Sequence, residues 1–142
     1  MDSKSAAQAL VAYWNEKNVL CRPGVSVAEV ERFEEREHVT LPDDFKNYLQ
    51  LTNGTGGLDK HVLAFHSLDE IAEYERLKDV YVFVDYFFWS WAFAIALGSS
   101  DFPDGTILRV GTIPDGVQIS SSFSEFVDMY LKDPDELIFP ND

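Results

Sequence analysis

Residues 80–97 read VYVFVDYFFWSWAFAIAL, and the alternation inside this run decides the fold class. Tyr81, Phe83 and Asp85 alternate with Val80, Val82 and Val84, and Trp91, Phe93, Ile95 and Leu97 alternate with Ser90, Ala92, Ala94 and Ala96. Successive side chains of a strand point to opposite faces, so a period of two predicts two strands with large residues on one face and small ones on the other. Small residues let another element pack closely against that second face. The uncharged part, residues 86–97, is 12 residues long, against roughly 20 for a helix that spans a bilayer. The run therefore belongs to a folded core or to an interface.

Working outward, residues 106–110 and 117–119 predict a hairpin around the turn signal Pro114, Asp115, Gly116. Ser122 followed three residues later by Glu125 is a capping box, in which each residue's side chain satisfies the other's unpaired backbone N–H. It opens a helix over 122–132 with Phe123, Phe126, Val127, Tyr130 and Leu131 on its apolar face. Upstream, residues 62–65 predict a short strand, and a second box, Ser67 and Glu70, predicts a helix carrying Leu68, Ile71 and Tyr74. A third box, Ser26 and Glu29, opens a helix with Val27, Val30 and Phe33. Pro42 suits the first turn of the next helix, whose stripe is Phe45, Tyr48 and Leu49, and Asn53 and Gly54 close it in the left-handed conformation both tolerate. Leu10, Val11, Tyr13 and Trp14 mark a first amphipathic helix that ends before Arg22, Pro23, Gly24.

The order is helices, then strands with one inserted helix, then a closing helix. That is α+β, with a single mostly antiparallel sheet of about five to six strands and helices packed on one face. The expectation is one domain over residues 1–142, with an N-terminal helix and turn at 1–24 and a loosely held tail at 135–142.

Eleven Lys and Arg against 25 Asp and Glu leave a formal charge of −14. Such a surface repels nucleic acid and anionic membranes, since binding either relies on cationic side chains displacing counterions. A basic protein is the natural partner. Cys21 stands alone and cannot form an internal disulfide, and no basic flank followed by an apolar core begins the chain, so a cytoplasmic protein is expected.

The residues that could carry chemistry do not form a catalytic pattern. His61 and His66 lie five positions apart on one strand and face opposite sides, with no Cys or further His to complete a metal site with Asp59. Nothing local marks Cys21 and His38 as an activated pair. Asp101, Asp104 and Asp115 lack the one-residue alternation of a calcium loop. The run Asn53 to Gly57 has no Lys after it and follows a helix where a phosphate cradle would precede one.

Charge and aromatic density point to an interface instead. From residue 80 onward there are ten acids and two bases, and eight aromatics fall between positions 81 and 93. Rings supply buried area, and carboxylates supply orientation and fast encounter with a basic protein. The expected partner-binding residues are Asp85, Trp89, Trp91, Asp101, Asp104 and Asp115. The acidic run Glu29, Glu31, Glu34, Glu35, Glu37 is read as a solvated helix face, partly offset by Arg32 and Arg36.

The phenylalanine-bearing acidic helix, then Leu41, Pro42, Asp43, Asp44, Phe45, then Asn53, Gly54 followed by Gly56, Gly57, resembles the core signature of the SUKH superfamily. Ser67, Leu68, Asp69, Glu70, Ile71 and the closing Ser122, Phe123, Ser124, Glu125, Phe126 follow in the order that family shows, so the resemblance covers about residues 27–131. It is carried by the order of the motifs. The superfamily contains fungal cell-wall-assembly regulators and many bacterial immunity proteins that neutralise toxins, often nucleases. The resemblance implies a binding protein of α+β fold with no cofactor and no catalysis. Its implied role is an immunity protein that occludes a cognate toxin, the alternative being a regulatory or scaffold interaction module. The long aromatic strand pair departs from the usual pattern of the superfamily.

Overall fold

The computed structural model describes residues 3–139. In chain order the elements are α1 (Ser3–Glu16), β1 (Cys21–Pro23), α2 (Val27–Glu37), α3 (Asp43–Leu51), β2 (Thr52–Thr55), β3 (Leu63–Phe65) and β4 (Ala72–Glu73). There follow β5 (Val80–Tyr86), β6 (Trp91–Ala96), β7 (Ile107–Val110), β8 (Val117–Ser120), α4 (Phe123–Lys132) and α5 (Pro134–Ile138). Six strands form an antiparallel sheet of order β3-β5-β6-β7-β8 with β4 also on β5, and β1 and β2 form a separate antiparallel pair. The α+β class and the strand number agree with the sequence reading.

Each face of the sheet has its own apolar layer. Tyr81, Phe83, Phe93, Ile95 and Ile107 are buried together with Leu10 and Trp14 of α1, Phe33 of α2, Phe45 and Tyr48 of α3 and Phe123 and Phe126 of α4. The small face, Val80, Val82, Ala92, Ala94 and Ala96 with Leu108 and Val110, is covered by Tyr74, Leu77 and Phe102 from loops. All the helices therefore serve one face, and the alanines admit loop side chains against the other.

A polar network ties the helices together. Trp14 Nε1 donates to the Tyr130 hydroxyl at 3.0 Å, Tyr130 donates to buried Asp59, and the other Asp59 oxygen accepts the His61 and Leu63 amides. The Asp44 carboxylate accepts the amide and hydroxyl of Ser124, which joins α3 to α4.

Four local expectations are corrected. The Ser67 and Glu70 box forms, with reciprocal bonds of 2.8 and 3.3 Å. It closes only a turn, because residues 72–73 pair with the edge of β5 as β4 and no helical run follows. Pro42 is the N-cap of α3, one residue before the position expected. Thr52 ends α3 in an extended conformation and runs straight into β2, so Asn53 and Gly54 do not close the helix. Residues 134–138 are the helix α5, with Leu137 and Ile138 buried, and are not a loose tail. Phe139, also in that expected tail, packs edge-on against Tyr86, and 140–142 lie outside the described residues.

Candidate functional site

The β5–β6 hairpin builds the most unusual part of the surface. Val82 pairs with Ala94 but Val84 pairs with Phe93, so Phe83 is an extra residue and β5 carries a β-bulge. A bulge shifts the alternation by one residue. Val84 joins Phe83 in the helix-side core, and Asp85, paired with Ala92, moves to the loop-covered face. Simple alternation had placed Asp85 beside Phe83.

On that face Asp85 is 5% exposed. Its Oδ2 accepts from His66 Nε2 at 2.8 Å, and its Oδ1 accepts the Trp89 amide at 3.0 Å. His66 is held in place from behind. Its amide donates to the Phe83 carbonyl, and Gly54 is pressed against the Phe65 and His66 carbonyls. Asn53 Oδ1 accepts the Leu68 amide at 2.6 Å. The Asn-Gly pair of the sequence signature thus positions the segment that carries His66.

Residues 87–89 turn the hairpin with φ of 45°, 52° and 66°, three bulky residues in the left-handed region. That conformation costs about 1–2 kcal/mol per non-glycine residue, so it persists only where surrounding bonds impose it. Here Phe87 N donates to the Val62 carbonyl at 2.9 Å, Trp89 N to Asp85, and Ser90 N and Oγ to the Tyr86 and Phe87 carbonyls. The result is an aromatic tip, with Phe87, Phe88 and Trp89 at 50%, 72% and 59% exposure. Trp89 rests on the His66 ring, centroids 4.9 Å apart. A shallow cleft beside Trp89 is lined by Glu73, Tyr74, Glu75 and Arg76.

The six residues expected from sequence do not form one site. Because Ala92 pairs with Val110, the β7–β8 turn with Asp115 lies at the tip end of the sheet. Asp101 and Asp104 follow the far end of β6, a strand of six residues, which separates them from the tip by about 20 Å. Asp104 accepts the Gly98 amide, and the Asp101 amide donates to Ser99 Oγ, so both organise their own loop. Asp115 is exposed, accepts the Gly111 amide and stands 3.9 Å from Arg76. Asp85 is a buried support for the turn and not a solvent-facing charge. Trp91 is half-buried, stacked on Tyr86 at 4.8 Å and set edge-on to Phe93. Trp89 and Asp115 alone of the six combine exposure with the tip end.

Phe87, Phe88 and His66 were missed. The signal was available for the first two: three large residues in succession between alternating strands must turn the chain, and a turn cannot bury all three. His66 needed the bulge, which no residue pattern announced. Among the described residues no group of three or more His, Cys, Asp or Glu is placed to hold a metal ion. His61 bonds the Tyr13 hydroxyl, away from the His66 and Asp85 pair. Cys21 Sγ donates to the Val19 carbonyl, and burial pushes its thiol up, away from the reactive thiolate. Among the described residues no helix is long and apolar enough to cross a membrane.

No curated protein sequence matches the chain. The family profile described as SMI1 / KNR4 family (SUKH-1) matches residues 24–129, from the turn before α2 into α4, and so includes the Asn53 and Gly54 support, His66, Asp85 and the aromatic tip. The chain belongs to the SMI1 / KNR4 (SUKH-1) family.

Proposed function

We propose that this chain is a non-catalytic binding protein of the immunity type, acting in the cytoplasm, and that it neutralises a basic cognate toxin by occupying it. The observation that carries the reading is the tip at 87–89. A turn that holds three large aromatics out of the core against a backbone cost is built for display. Rings of this kind anchor protein interfaces, while the formal charge of −14 steers a cationic partner. A nuclease fits best among toxin classes, because its substrate channel is positive and accepts a polyanionic mimic. Family membership supports the binding role.

The test uses the purified chain and the toxin domain encoded beside its gene. The expected result is a one-to-one complex in which toxin activity is lost and is restored when Trp89→Ala is used at the same concentration. Absence of any complex with that domain would contradict the immunity role and favour a regulatory interaction module.

A further inference from the structure

A second surface lies on the helix side, at the opposite margin of the sheet from β3. β8 is the last strand, and its outer backbone edge pairs with nothing among the described residues. Its four residues, Val117–Ser120, include no Lys, Pro or acid of the sort that natural edge strands use to discourage pairing. Its one irregularity is a bulge at Ile119, where Gln118 and Ser120 pair with the adjacent Leu108 and Ile107. Beside it runs a groove of about 390 Å3, lined by Ile113, Val117, Ile119, Met129 and Leu137 with Arg109 and Glu136. Ile113 is 97% exposed and Val117 36%.

Arg109 gives this groove a chemical preference. It is one of two bases after residue 79, and the other, Lys132, is paired with Asp128. Among the described residues Arg109 has no carboxylate partner, although the chain carries 25 acids. Its guanidinium lies over the Trp91 ring at 5.7 Å, and its Nε is buried without a hydrogen-bond acceptor. A partly desolvated guanidinium left unpaired is a strong receptor for a carboxylate. With Glu136 on the same groove and a negative protein around it, one carboxylate is acceptable where a polyanion is not.

We infer that the β8 edge accepts an extended segment of a partner protein as an added strand, with an acidic side chain of that segment bound by Arg109. Backbone bonds to β8 supply the register, and alternate side chains of the segment enter the apolar groove. This site is independent of the aromatic tip.

The test is selection of a random decapeptide display library on the full chain, followed by titration of the selected synthetic peptides. Selected sequences should alternate β-branched residues and share one Asp or Glu. Their affinity should fall at least tenfold for Arg109→Gln, less for Arg109→Lys, and at least tenfold for Val117→Glu, which sets a like charge at the groove. Trp89→Ala should leave it unchanged, and the amides of 117–120 should become protected from hydrogen exchange on binding. Should Arg109→Gln not fold, Val117→Glu and the exchange map carry the test. Failure to select any peptide, selection without an acid, protection at 87–89 in place of β8, or self-association of the chain through β8 would each overturn the inference.

Discussion

His66 and Asp85, 19 residues apart, meet at 2.8 Å in the interior, and the second oxygen of the same carboxylate fixes the amide of Trp89. One buried acid therefore connects the segment after β3 to the turn that exposes the aromatic tip. Removing it should release both. Asp85→Ala leaves the His66 Nε2–H and the Trp89 N–H without acceptors, a loss of about 3 kcal/mol by chemical denaturation. Asp85→Asn keeps one acceptor oxygen for Trp89 and should cost about 1 kcal/mol. In both variants the amides of 89–90 should exchange faster than those of β6, and equal exchange would show that Asp85 does not hold the tip.

Gly54 adopts φ of +82°, and a Cβ there would lie 2.4 Å from the Phe65 carbonyl oxygen and 2.6 Å from that of His66. Gly54→Ala must displace the segment that carries His66, so a stability loss of about 2 kcal/mol or more is expected. Gly57, with nothing within 4 Å of its Cβ position, is the control. Gly57→Ala should change stability by about 0.5 kcal/mol or less. Equal effects in a denaturation series would contradict the packing role of Gly54.

Burial pushes the hydroxyls of Tyr48 and Tyr130 far up, and that of Tyr81 to about 12. A group whose folded value lies above its unfolded one adds stability that is full below the unfolded value, here about 10, and is lost as pH rises through the folded one. The protein should thus keep its stability up to about pH 10 and lose it steeply above. Tyrosinate absorbance should show these three rings ionising together with unfolding. Independent ionisation of all six tyrosines near pH 10 would contradict their burial.

The carboxylates at the two ends of the sheet should separate in kinetics with a basic toxin. Asp115→Asn, at the tip end, should slow association by a few fold and flatten its salt dependence, since charges at the rim of an interface act on encounter. Asp101→Asn and Asp104→Asn, about 20 Å away along β6, should leave association nearly unchanged. Larger effects at the far end would move the interface there.

The parts of this molecule legible in the sequence were those written locally. The Ser26 box and the Ser122 cap were readable as helix starts, and the β5 and β6 alternation as strands, because each depends on neighbours within a few positions. Only half of the Ser122 box forms, since the Glu125 carboxylate accepts the Ser121 hydroxyl. The Ser67 box misled because the same two bonds close a turn as readily as they open a helix, and pairing of Ala72 with Val82 decides between them. At the site, Trp89 was legible from aromatic density beside uncompensated acids. The burial of Asp85 was not, since it follows from one extra residue in β5, and neither was its partner His66 across 19 positions.

Dissociation kinetics of the complex with the cognate toxin, compared between tip and helix variants, test the central claim most directly. The account predicts that Trp89→Ala and Phe88→Ser fold normally and dissociate about thirtyfold faster, as expected when an anchor worth about 2 kcal/mol is cut. Trp91→Ala should instead lower stability by about 2 kcal/mol, because its ring packs on Tyr86 and Phe93. Glu31→Gln with Glu35→Gln on α2 should leave dissociation unchanged. If the α2 pair abolishes binding while Trp89→Ala and Phe88→Ser retain the native rate, the interface lies on the N-terminal helices and the aromatic tip is not the docking surface.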